Sequence, residues 1–78
     1  MEDISEFIKK IEFEIDEIET GALTPETKYR EMDGWSSMLG LIFIALIDME
    51  YDITINGEEL ISAITIQDLY NVVQEKMQ

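Results

Sequence analysis

A run of ten apolar residues, Met38-Leu39-Gly40-Leu41-Ile42-Phe43-Ile44-Ala45-Leu46-Ile47, constrains this chain more than any other feature. A membrane span needs about 20 such residues, so the run reads as the core helix of a small globule. Ile42, Phe43, Leu46, Ile47 and Tyr51 recur at three- and four-residue steps, the period of a helix face. The run is entered through the turn pair Asp33-Gly34 and the serines Ser36 and Ser37, and acids close it at Asp48 and Glu50. Ser36 is the better N-cap, because its side-chain oxygen can accept from the unpaired backbone N–H groups of the first turn. Ser37 then falls in that first turn, at the loop edge, where the helix dipole and free N–H groups favour a bound or attached anion. Taken alone, a serine at a helix start is a cap and nothing more.

The flanks supply the rest of a helical core. Asp3 caps a helix expected over residues 3–15, with a stripe of Ile4, Phe7, Ile8, Ile11 and Ile15 that Ile18 extends. From Glu12 the face turns acidic through Glu14, Asp16, Glu17 and Glu19, which reads as solvated surface. Gly21 is expected to break this helix, and residues 20–35 to form a long connection. There Pro25 keeps Thr24 extended, and Leu23, Tyr29 and Met32 pin the chain to the core. Trp35 stands where a hydrophobic staple would sit. After the central helix, Ile53 and Ile55 alternate like an extended segment, and Asn56-Gly57 has the composition of a hairpin turn with no partner strand following. Residues 58–61 leave room for one or two helical turns, and Ile64 is expected to anchor a loop. Thr65-Ile66-Gln67-Asp68 resembles a capping box opening a last helix through Leu69, Tyr70, Val73 and Met77. The sum is one all-α domain over residues 1–78: three main helices and one short one, with a long loop between the first two.

Charge and missing residue types exclude several functions. Eighteen acids against five bases leave a net charge of −13. Nucleic acid and anionic membrane surfaces would be repelled, and basic protein partners would be steered in. The chain has neither cysteine nor histidine, which removes thiolate chemistry, Ser–His catalysis and the usual zinc sites. The carboxylate pairs Glu12/Asp16 and Glu58/Glu59 are accompanied by no nucleophile, so the chain is not expected to be an enzyme. Asp48, Glu50, Asp52, Thr54, Asn56 and Glu59 match the ligand spacing of an EF-hand loop. The sharp turn at its sixth position needs glycine, however, and Ile53 stands there, so no metal site is expected. The opening Met-Glu-Asp-Ile-Ser lacks the basic and apolar regions of a signal peptide, and a cytoplasmic monomer is expected.

Gly34-Trp35-Ser36-Ser37-Met38 resembles the motif of the acyl carrier protein family, including its peptidyl carrier branch, where Asp-Ser-Leu opens the second helix. The likeness extends to Leu23-Thr24-Pro25-Glu26-Thr27-Lys28-Tyr29 before the motif, to Glu50-Tyr51-Asp52-Ile53-Thr54-Ile55 after the second helix, and to Ile64-Thr65-Ile66-Gln67-Asp68-Leu69 at the last one. It implies a four-helix bundle of acyl-carrier type and a stand-alone carrier. By resemblance Ser37 takes a 4′-phosphopantetheine arm from coenzyme A, and acyl intermediates of fatty acid, polyketide or related biosynthesis ride on that arm as thioesters. Ser36 stands in place of the usual Asp. Reading Ser37 as the attachment site places Tyr51 and Ile55 on the family's apolar positions, whereas Ser36 would shift the helix by one. The resemblance also implies partners: a phosphopantetheinyl transferase, and acyl-loading and acyl-processing enzymes with basic or apolar docking surfaces. Ser36, Met38, Leu41, Ile44 and Asp48 are the expected contacts, with Gly40, Leu41 and Ile44 at commonly exposed positions. Ile42, Leu46, Ile61 and Ile66 would line an acyl crevice between helices. An unmodified carrier fold acting only as an interaction module is the alternative.

Overall fold

The computed structural model describes residues 3–16, 18–19, 21–32 and 34–77. Glu17 of the acidic face, Asp33 of the entry turn and residues 1 and 2 of the opening segment lie outside the described residues. Four helices follow in order: α1 (Ile4–Glu14), α2 (Ser37–Tyr51), α3 (Gly57–Ser62) and α4 (Ile66–Lys76), with a 3-10 turn at Tyr29–Glu31 between the first two. No strand occurs among the described residues. Helix α1 packs on α2 and α4, and α3 packs on α2. Their apolar faces meet in one cluster, with Phe7, Ile11, Phe43, Ile47, Ile66, Leu69 and Val73 all but fully buried. Burial at this level stabilises by about 1.5–3 kcal/mol for each large side chain.

Short local bonds define the helix starts. Asp3 accepts from the Glu6 N–H at 3.1 Å and Ser36 from the Leu39 N–H at 3.3 Å. Thr65 and Asp68 form the expected capping box. Asn56 does the same with Glu59, so Asn56-Gly57 opens α3 and makes no hairpin turn. The composition of a turn and that of an N-cap are alike, and the acid three residues on decides between them. Two backbone N–H groups bonded to the Asp68 carboxylate hold its pKa below the usual range. The Lys76 ammonium, 2.9 Å away, and the Asn56 N–H do so for Glu59. Both contributions are present above the ordinary carboxylate range and are lost as pH falls through the depressed values.

The connection between α1 and α2 differs most from expectation. Helix α1 ends at Glu14, well before Gly21, because Ile15 is already extended and bends the chain inward to bury Ile15 and Ile18. Gly21, at φ +88, turns the chain within the connection. Glu12 is not solvated: it is 9% exposed, and its Oε2 accepts the Leu23 N–H at 3.1 Å, tying the connection to α1. Beyond Leu23 the chain straps the far helices together. The Thr27 and Pro25 carbonyls accept the Ile66 and Gln67 N–H groups at 3.0 and 2.9 Å. With Thr65 and Asp68 they satisfy the N–H groups that an α4 start leaves without helical partners. The Tyr29 hydroxyl donates to the Leu60 and Ala63 carbonyls, and Arg30 Nη2 donates to the Ile61 carbonyl at 2.8 Å. Those of Leu60 and Ile61 are carbonyls that the end of α3 leaves open, and that of Ala63 follows directly. The strap takes over the anchoring expected of Ile64, whose side chain is 50% exposed, and Met77 is likewise exposed.

Tyr29→Phe is expected to lower the unfolding free energy in urea by about 1–3 kcal/mol, since it leaves buried carbonyls without their donor; an unchanged midpoint contradicts the strap. Burial, with a smaller push from Asp68, raises the Tyr29 phenol to about 12 against the opposing charge of Arg30. The folded value lies above the ordinary one near about 10, so this stability is complete below about pH 10 and is lost as pH rises through the folded value. An alkaline absorbance titration is expected to show a tyrosinate step near pH 12 that Tyr29→Phe lacks. Persistence of that step in the variant contradicts the assignment.

Candidate functional site

Ser36 and Ser37 are neighbours with separate tasks. Ser36 is extended, at φ −154 and ψ 171, and its hydroxyl is engaged in capping. Its carbonyl accepts the Gly40 N–H at 3.0 Å, which closes the first helical turn. Ser37 is the first helical residue and is exposed, and its hydroxyl bonds no other described residue. The N–H groups of Ser37 and Met38 have no acceptor among the described residues, and the first turn of α2 holds no acid. An oxygen on the Ser37 side chain therefore stands at the positive end of a helix of 15 residues.

Beside Ser37 lies a groove of about 260 Å³ between α2 and α3. Leu41 and Ile44 line it from α2 and Leu60 and Ile61 from α3, with Trp35 and Arg30 from the connection. Gly40 makes the close approach of its walls possible. A Cβ there would stand 3.3 Å from Leu60 Cδ2 and 3.4 Å from the Trp35 ring. Gly40 is thus buried, contrary to the expectation of an exposed position. Trp35 precedes the cap as a staple does, but the helix position opposite it is this glycine. The indole instead meets Tyr29 and Phe43, each with ring centroids 5.5 Å away, and those two rings stack at 5.6 Å.

The structure divides the expected contact residues among several places. Leu41, 66% exposed, and the half-buried Ile44 share the groove with Ser37. Met38, 70% exposed, lines a separate hollow with Ser36, and Asp48 is exposed further along α2. The expected acyl crevice does not form as a unit. Ile66 is fully buried in the core, and Leu46 and Ile42 border a hollow against α1 with Met49. Ile61, 60% exposed, is the member that reaches the Ser37 groove. The resemblance implied that these four meet, while helical spacing put Ile42, Leu46 and Ile66 on apolar faces without saying which faces meet. Arg30 and Leu60 were not anticipated, since their place in the groove depends on contacts between residues far apart in sequence.

A larger groove, of about 560 Å³, lies at the opposite end of α2, where Glu50 faces Lys9, Lys10 and Phe13 of α1. Six of its seven lining residues carry charged groups, and Lys10 there approaches Glu50 at 4.0 Å and the face of Tyr51. Size alone gives it no chemistry. Among the described residues no group of three or more acids could hold a metal ion, and no helix is long and apolar enough to cross a membrane. No protein-family model matches the chain, and neither a curated protein nor a solved structure matches it.

Gly40→Val is expected to destabilise the protein by about 1–3 kcal/mol through overpacking against Leu60 and Trp35. It should also shift the emission of Trp35, the one tryptophan in the chain, toward that of exposed indole. Unchanged stability and emission contradict the close approach.

Proposed function

We propose that this chain is an acyl carrier, a covalently modified shuttle and not an enzyme, with Ser37 as the attachment point for 4′-phosphopantetheine. One observation carries the reading: an exposed hydroxyl, free of capping duty, at the first residue of the longest helix, opening on an apolar groove. The order of three main helices and one short one, with the long connection after the first, supports it as a bundle of acyl-carrier type.

The donor set fits a phosphodiester. Backbone N–H groups of Ser37 and Met38, the dipole of α2 and the nearby Arg30 all favour negative charge, and no acid stands in the first helical turn. Attachment forms a bond from Ser37 Oγ to phosphorus, breaks the pyrophosphate bond of coenzyme A, and releases the adenosine bisphosphate half with the hydroxyl proton. The arm supplies a terminal thiol on which acyl groups ride as thioesters, a chemistry for which the chain has no cysteine of its own. Leu41, Ile44, Leu60 and Ile61 offer an apolar surface beside the attachment point, in place of the crevice expected from Ile42, Leu46, Ile61 and Ile66. Met38 and Leu41 present an uncharged face to partners, while the net charge of −13 steers basic ones toward it. The partners proposed are a phosphopantetheinyl transferase and acyl-loading and acyl-processing enzymes.

Intact mass after incubation with coenzyme A and a phosphopantetheinyl transferase tests this. Wild type and Ser36→Ala are expected to gain one phosphopantetheine and Ser37→Ala none. Loss only in Ser36→Ala moves the site by one residue. No gain in the wild type with the transferase of the source organism supports an unmodified interaction module instead, a reading favoured by Ser36 in place of the family's Asp.

A further inference from the structure

We propose that Arg30 is a positioning residue that pairs with the phosphate borne by Ser37; this rests on the carrier reading above. Among the described residues lining the groove, Arg30 alone is charged. The rest of that lining is apolar or small, apart from the Ser37 hydroxyl. The 3-10 turn that carries Arg30 is fixed by the buried Tyr29 hydroxyl bonds to Leu60 and Ala63. One guanidinium nitrogen is already held against the Ile61 carbonyl at 2.8 Å. A guanidinium has five N–H donors, and Arg30 makes no other hydrogen bond among the described residues. Its cation is therefore anchored at one corner while donors remain for an anion, the fork geometry that suits phosphate oxygens. No acid in that lining, and none in the first turn of α2, competes for it. Five bases serve a chain of net charge −13, so a further negative charge is repelled unless one of them meets it. Arg30 is the base placed to do so.

The test is a thermodynamic cycle on unmodified and phosphopantetheinylated forms of wild type, Arg30→Gln and Arg30→Lys, unfolded in urea at low salt. Loss of the bond to Ile61 weakens both forms of a variant alike, whereas pairing with the phosphate appears only in the coupling between substitution and modification. Modification is expected to be about two- to fivefold less favourable to the folding equilibrium in Arg30→Gln than in wild type. The difference should shrink at high salt, and Arg30→Lys should restore part of it. Phosphorus NMR of the modified wild type is expected to show a signal displaced from its position in urea, with that displacement reduced in Arg30→Gln. Equal effects of modification in wild type and Arg30→Gln, with the phosphorus signal unmoved, overturn the pairing and leave the carrier reading standing. A wild type that gains no mass, read before any unfolding, overturns the carrier reading and the pairing with it.

Discussion

The Tyr29 hydroxyl is the point on which the described structure turns. It lies in the middle of a connection with little regular structure, yet it reaches the Leu60 carbonyl of α3 and that of Ala63 just past the helix, 31 and 34 residues away in sequence. A helix of six residues has no lasting stability of its own, because too few internal bonds offset the cost of starting it. Helix α3 persists because its start is capped by Asn56 and Glu59 and its end by Tyr29 and Arg30. The same strap supplies the Thr27 and Pro25 carbonyls to α4, so one segment serves the end of one helix and the beginning of the next. The phenol is fully buried and its proton is held well above the ordinary range, as a donor shared by two carbonyls in an apolar setting should be.

The groove beside Ser37 is a consequence of that strap. Helix α2 is apolar on nearly all sides, a pattern usual for a helix with no solvent face. Its inner side is covered by α1 and the core. Its outer side is met only in part by α3 and Trp35, and Gly40 allows both to approach closely. Near the first turn, Met38, Leu41 and the edge of Ile44 stay at the surface. An exposed hydroxyl, an apolar wall and an arginine thus come together from three segments that share no local sequence pattern. This convergence is the support for the proposed carrier reading.

Most features set by neighbours within four residues were legible in the sequence, the Asn56/Glu59 capping box excepted, because Asn56-Gly57 has the composition of a turn as well. Asp3, Ser36 and the Thr65/Asp68 pair announce helix starts because side chain and backbone partner lie three residues apart. The stripe from Phe7 to Ile15 and the spacing from Phe43 to Ile47 announce buried faces for the same reason. Glu12 escaped because its partner, the Leu23 N–H, is 11 residues on, and nothing in an acidic run marks the one member that turns inward. Arg30 escaped because Ile61 is 31 residues away. The crevice expected of Ile42, Leu46, Ile61 and Ile66 was a statement about how faces meet, and periodicity is silent on that. Ser37 itself was legible as a position, since the cap at Ser36 places it in the first turn.

If the strap organises the molecule, amide hydrogen exchange reads it most directly. The N–H groups of Ile66 and Gln67, held by the Thr27 and Pro25 carbonyls, and of Leu23, held by Glu12, should be protected in the native protein. In Tyr29→Phe all three should lose protection together, and by more than the amides within α1. Rapid exchange of Ile66 and Gln67 in the wild type, or protection that the variant leaves untouched, would contradict the account.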